Sequence, residues 1–144
     1  MTALTETAPD RRVVLSTLWI VLVLNYLYCD VLVLHDPEHL EAIRSGVVAG
    51  IEFTPGFLVG AGLLMQIPIL MVLLSRVLRR RVNRWANIVA AAVMAVVQVS
   101  TLFLEGTPAP VYVFFSVIEI ALLLVVIGYA VTWTRTETAK VPQW

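Results

Sequence analysis

The chain alternates between four long apolar segments and short polar stretches. A helix needs about 20 mostly apolar residues to cross the hydrocarbon core of a bilayer. The four segments meet this requirement, and they comprise residues 13–34, 55–78, 85–104 and 111–134. The pattern therefore predicts an all-α fold, a four-helix transmembrane bundle.

A polar segment, residues 35–46, joins the first two predicted spans. Asp36 suits the N-cap of a helix, Pro37 suits its first position, and Gly46 suits the residue after its end. We therefore predict a short helix at the outer membrane interface. Residues 47–53 then lead back to the second span.

The composition agrees with a membrane protein. Of the 144 residues, 60% are hydrophobic and only 14% are charged, whereas a soluble domain carries about 25% charged residues. A soluble domain of this size has too little interior to bury so much apolar surface. The single cysteine, Cys29, excludes an intramolecular disulfide and any redox or metal site that needs paired cysteines.

Basic residues are concentrated on one side of the predicted bundle. Nine of the ten Lys and Arg residues precede the first span, follow the fourth, or flank the loop between the second and third, and Arg44 alone lies on the other side. Cytoplasmic loops carry an excess of Lys and Arg. We therefore predict cytoplasmic termini and a location in the inner membrane of a bacterial cell. The net charge of zero favours no nucleic-acid partner.

We expect residues 1–144 to form one transmembrane domain with flexible tails at residues 1–10 and 136–144. The first apolar segment is too long for a signal peptide, so we expect it to remain as a span. Membrane lipids are the expected surroundings. Small residues in the second and third spans would allow close helix packing within one bundle, in a homodimer or in a larger membrane complex.

The functional hypothesis is based on the polar side chains inside the predicted spans. A charged side chain at the centre of a span costs about 2.5–3.5 kcal/mol on insertion scales, so it usually faces the protein interior or a water-filled cavity. Depth and helical spacing direct several such groups to the outer half of the bundle. The predicted ligand or proton pocket comprises Tyr26, Asp30, Glu52, Gln66, Gln98, Tyr112 and Glu119.

The sequence leaves several roles open for this pocket. With Arg44 as the nearest cation, it would suit a proton-coupled carboxylate, an aromatic-walled site for a cationic ligand, or a divalent metal. Alternatively, Asp30 and Glu119 hydrogen-bond neighbouring helices and only stabilise their packing. We interpret His35 and His39 as surface histidines, and we assign no metal ligand and no cofactor.

Several motifs resemble an uncharacterised bacterial family of small four-span integral membrane proteins, a domain of unknown function. The motifs are residues 18–20 (LWI) with Asp30 downstream, 50–58 (GIEFTPGFL), 66–76 (QIPILMVLLSR), 83–87 (NRWAN) and 114–119 (FFSVIE). The resemblance covers nearly the whole chain and implies a four-helix membrane fold, loosely similar to DoxX-like proteins. It implies no particular activity.

The resulting hypothesis is a small integral membrane protein with an outward-facing acidic and aromatic pocket. This pocket would bind or transport a small cationic or amphiphilic ligand with proton coupling. The alternative is a non-catalytic partner or assembly subunit of a larger membrane complex. The sequence contains no nucleophile–base arrangement, P-loop or zinc-protease helix, so we favour a function other than catalysis.

Overall fold

A computed structural model describes residues 9–104 and 108–133. Its helices are α1 (Arg11–Val33), α2 (Pro37–Ser45), α3 (Pro55–Val77), α4 (Arg80–Thr101) and α5 (Pro110–Val131). All except α2 are long and apolar enough to cross a membrane. The predicted all-α four-helix bundle is confirmed, and α2 is the short helix predicted between the first two spans.

The helices do not coincide with the apolar segments at every boundary. Helix α4 begins at Arg80, five residues before the predicted span, because an arginine-rich first turn is helical although it is not apolar. Asp10, which we predicted within the N-terminal tail, is the N-cap of α1 and accepts a hydrogen bond from the Arg12 amide at 3.0 Å. Thr134 and the predicted tails, apart from residues 9–10, lie outside the described residues.

Each long helix packs against two of the other three. Helices α1 and α4 both contact α3 and α5, so α1 and α4 occupy opposite corners of the bundle. Successive spans run antiparallel, which gives the bundle two distinct ends. We call the end that carries Arg11, Arg76 and Arg80 the arginine end. The opposite end, which carries α2, is the hairpin end.

A small β-hairpin follows α2 and was not predicted. Its strands, β1 (Val47–Val48) and β2 (Ile51–Glu52), pair antiparallel. Ala49 and Gly50 form the turn with φ values of 49° and 78°, the positive values that a type I′ turn requires. Gly46 ends α2 with a φ of 81°. Strands of two residues are too short to show an alternating sequence pattern.

The core is not equally dense along the bundle. Buried side chains on α1 and α5 recur every three or four residues, as expected for helices that face one interior. Helix α3 buries only Pro68, Met71 and Ser75, all in the half nearer the arginine end. The bundle is therefore closely packed towards the arginine end and more open towards the hairpin end.

Candidate functional site

The structure brings four of the predicted pocket residues into one cluster. Tyr26, Gln98 and Glu119 are buried and Tyr112 is half-buried. They come from α1, α4 and α5, the helices whose buried faces meet in the hairpin half. We call these four residues the Glu119 cluster.

Hydrogen bonds connect the cluster across α4 and α5. The Tyr112 hydroxyl donates to Thr101 Oγ1, which donates to the Gln98 carbonyl at 2.7 Å. The Gln98 side-chain amide donates to Ser116 Oγ at 2.9 Å. Glu119 lies three residues beyond Ser116, about 4.5 Å further along the helix axis. A line of hydrogen-bonded groups therefore leads from Tyr112, in the first turn of α5, to Ser116, about one turn from the buried Glu119 carboxyl.

Two atoms of the cluster lack partners. Within the part of the chain that the structure describes, neither Tyr26 Oη nor Glu119 Oε1 has a hydrogen-bond partner, although both atoms are buried. Glu119 itself is 1% exposed. Since burying an unsatisfied polar group costs about 1–3 kcal/mol, most such groups in proteins are paired with protein or water. The cluster thus differs from a fully paired structural network.

Asp30 lies outside the cluster. The buried side of α1 passes through Tyr26, Cys29 and Val33, so Cys29 takes the interior position and Asp30 is exposed. From the sequence we predicted that Asp30 shares a face with Tyr26. Four residues along a helix correspond to a rotation of about 40° from Tyr26, and this rotation moves Asp30 off the buried side.

Glu52 and Gln66 are also exposed, for different reasons. Glu52 belongs to β2 of the hairpin rather than to the bundle interior. Gln66 projects from α3 on the side opposite Ser75, which faces the core. Gln66 and Ser75 are nine positions apart, so their side chains leave the helix on opposite sides. The predicted pocket therefore divides into a buried cluster and three exposed residues.

A cavity of about 410 Å³ opens at the hairpin end. All four long helices contribute to its walls, together with α2 and the hairpin. The walls are mainly apolar and include Val33 and Phe57; Phe57 stacks on Phe53 with ring centroids 5.3 Å apart. Polar side chains of the lining are His39, Thr101 and Tyr112. Tyr112 and Thr101 therefore belong both to the cavity wall and to the hydrogen-bonded line towards Glu119.

A second polar network, towards the arginine end, was not predicted. Trp19 Nε1 donates to Asn87 Oδ1 at 2.7 Å, and Ser75 Oγ donates to the same atom at 3.2 Å. The Asn87 amide donates to Asn83 Oδ1 at 2.7 Å, and the Asn83 amide donates to the Ser75 carbonyl. All four side chains are fully buried. This network connects α1, α3 and α4, and it has the paired character of a structural element.

The sequence contained a signal for this network. Asn83 and Asn87 are four residues apart, and Asn87 shares its helical stripe with Gln98. The sequence prediction included Gln98 of this stripe but neither Asn83 nor Asn87. Trp19 and Ser75 lie on other helices, and no sequence spacing relates them to Asn87. Their hydrogen bonds to Asn87 could therefore not be predicted from the sequence.

Arginine side chains stabilise the arginine end of the bundle. Arg11 Nη1 donates to the Tyr129 carbonyl at 2.9 Å, and its guanidinium lies 4.7 Å from the centre of the Tyr129 ring. Arg76 Nε donates to Ser16 Oγ at 3.0 Å. A cation near the C-terminus of α5 also interacts favourably with the helix dipole.

The described residues contain no group of three or more His, Cys, Asp or Glu side chains that could hold a metal ion. No curated protein and no solved structure is significantly similar to the chain. Residues 2–140, which include all the helices and the Glu119 cluster, match a family described as a family of unknown function, DUF6326. The chain therefore belongs to the DUF6326 family.

Proposed function

We propose that this multi-pass membrane protein binds a small amphiphilic molecule in the hairpin-end cavity. The observation that carries the proposal is the character of the cavity wall. It encloses about 410 Å³ with apolar side chains and a few polar ones. Small-molecule pockets have this composition and volumes of about 300–1,000 Å³.

The lining favours an amphiphile over a simple cation. None of the described residues that form the wall is a carboxylate, whereas Val33, Phe53 and Phe57 offer apolar surface. An alkyl chain or ring would pack against these three side chains. A hydroxyl head group would then donate a hydrogen bond to the Tyr112 oxygen, because the Tyr112 and Thr101 hydroxyl protons are already donated within the protein.

The packing of α3 supports uptake from the lipid phase. No residue from Pro55 to Ile67 is buried, and Phe57, which lines the cavity, lies within this segment. The cavity is thus flanked by the least packed part of the bundle. An amphiphile already dissolved in the bilayer would reach it without crossing water.

We further propose that ligand binding in the cavity is coupled to proton transfer at Glu119. The line from Tyr112 through Thr101, Gln98 and Ser116 links the cavity wall to the neighbourhood of this carboxyl. An unpartnered buried carboxyl is sensitive to a change in its polar surroundings. A ligand that rearranges Tyr112 would therefore alter proton occupancy at Glu119.

The charge distribution supports an orientation with the cavity towards the outer side. Among the described residues, seven arginines lie at the arginine end, and they are Arg11, Arg12, Arg76, Arg79, Arg80, Arg81 and Arg84. Among the described Lys and Arg residues, Arg44 alone lies at the hairpin end. By the positive-inside rule, the arginine end and both termini face the cytoplasm.

Photolabelling tests the binding site directly. Purified protein in liposomes would be irradiated with a diazirine analogue of dodecanol, and the labelled residues would be located by mass spectrometry. We expect labelling of Phe57, Tyr112 and their neighbours. Ala42→Trp, which fills the cavity, should reduce labelling, whereas Ala92→Trp on the exposed side of α4 should not. Equal labelling of both variants and wild type would refute the proposal.

Proton coupling needs a separate measurement. Dodecanol would be added to the protein in weakly buffered liposomes that contain a pH-sensitive dye. Wild type should change the proton concentration on binding, and Glu119→Gln should bind the alcohol without this change. Identical traces from the two proteins would exclude coupling through Glu119 and leave the binding proposal standing.

A further inference from the structure

Gln66 occupies an unusual position in α3. It lies eleven residues from each end of the helix, which spans Pro55–Val77. At 1.5 Å per residue, each end is about 16.5 Å away, so the side chain lies near the middle of a bilayer that the helix crosses. Gln66 is exposed, and its side chain forms no hydrogen bond with any other described residue.

The direction of the side chain excludes a role in the bundle interior. Ser75 and Met71 mark the buried side of α3, and Gln66 points away from it. The surrounding surface is apolar, since Val59, Leu63, Leu70 and Leu73 are between 50% and 66% exposed. A primary amide that faces hydrocarbon loses its hydrogen bonds to water and gains none in return.

We propose that α3 pairs with α3 of a second copy of this chain through Gln66. A carboxamide carries both donor and acceptor groups, so two copies related by a two-fold axis satisfy each other. Hydrogen bonds between such side chains are a recognised source of helix association in membranes. The same side chain on an identical helix therefore supplies both the donor and the acceptor that Gln66 needs.

The space around Gln66 permits this approach. Gly62 precedes it by one turn on the same side of α3, and a Cβ atom built at Gly62 would meet nothing within 4 Å. Two helices that meet at a glycine can bring their backbones close enough for the short amide side chains to reach each other. The α3 surface formed by Val59, Gly62, Gln66, Leu70 and Leu73 is thus the proposed dimer interface.

Disulfide crosslinking in liposomes provides the test. Cys29 is the only cysteine, so Cys29→Ala gives a cysteine-free background. In that background, Leu70→Cys places a thiol on the proposed interface. Val96→Cys is the matched control, because Val96 is 67% exposed on α4, away from the interface. We expect dimer crosslinks from Leu70→Cys and none from Val96→Cys.

The role of the amide is tested by introducing Gln66→Leu or Gln66→Asn into otherwise wild-type protein that carries a fluorescent protein at its C-terminus. Gln66→Leu should weaken the association by about 5- to 30-fold in a dilution series read by fluorescence energy transfer. Gln66→Asn should retain most of it. The proposal is overturned if the Gln66→Leu protein associates as strongly as wild type, or if both cysteine positions crosslink equally.

Discussion

Trp19 donates a hydrogen bond to Asn87 across the diagonal of the bundle, with 2.7 Å between the indole nitrogen and the amide oxygen. Helices α1 and α4 are not neighbours around the ring, and both side chains are fully buried. Because Ser75 donates to the same oxygen, a single acceptor connects three of the four spans. These bonds join α1, α3 and α4 in the arginine half of the bundle.

Replacing Asn87 should destabilise the protein substantially. Asn87→Leu leaves the Trp19 indole and the Ser75 hydroxyl without their acceptor, and we expect a loss of about 1–3 kcal/mol in the free energy of unfolding. The measurement is an unfolding titration with dodecyl sulfate in mixed micelles. Asn25→Leu is the control, since the Asn25 amide bonds only the Val21 carbonyl of its own helix. Equal losses for the two variants would contradict the role given to the network.

Removing the Tyr112 hydroxyl should weaken binding of amphiphiles that have a polar head. We expect Tyr112→Phe to reduce the affinity for the dodecanol probe by about 2- to 12-fold, the effect of one net hydrogen bond. Binding of a dodecane analogue should be unchanged. Tyr28→Phe is the matched control, because Tyr28 is 62% exposed on α1. A loss that is the same for both probes would argue against head-group recognition by Tyr112.

Backbone conformation at the hairpin gives a pair of opposite predictions. Gly46 has a φ of 81° and Ala49 a φ of 49°, values that glycine adopts more readily than alanine. Gly46→Ala should therefore destabilise the hairpin by about 1 kcal/mol, and Ala49→Gly should stabilise it.

Hydrogen exchange of the Phe53 amide reports this difference. That amide donates to the Gly46 carbonyl at 2.8 Å and closes the segment. Exchange should accelerate in Gly46→Ala and slow in Ala49→Gly, by about fivefold in each direction. Acceleration in both variants would mean that the turn conformation is not as described.

Fusion reporters test the orientation. Green fluorescent protein attached to the C-terminus should fluoresce, and alkaline phosphatase attached there should be inactive, because the positive-inside rule predicts that this end lies in the cytoplasm. Alkaline phosphatase inserted after Ser45 should be active. The reverse pattern would place the hairpin-end cavity on the cytoplasmic side.

The spans were predictable because lipid imposes a strong requirement on length and polarity. Residues 55–78 were predicted as the second span, and α3 comprises Pro55–Val77. Thr54 and Pro55 mark that start chemically, through an N-cap bond from the Phe57 amide at 3.2 Å and a proline at the first position. Such local signals act within one turn and need no tertiary contact.

The pocket was less predictable, because membership depends on small rotations between helices. Cys29 and Asp30 are adjacent in sequence, yet only Cys29 faces the interior. Gln66 is polar and lies within an apolar span, as Gln98 and Glu119 do, so the sequence did not distinguish it from them. It is exposed because Met71 and Ser75 mark the side of α3 that packs inward. Periodicity indicates which residues share a face without indicating which face meets the bundle.

The contrast between the two halves bears on how the protein responds to heat. Three spans are joined by buried hydrogen bonds near the arginine end, whereas no residue of α3 from Pro55 to Ile67 is buried. Thermal opening should therefore begin at the hairpin end and proceed in stages, so a single melting temperature would not describe it. A molecule that occupied the cavity would raise the temperature of the first stage and leave the last one where it was.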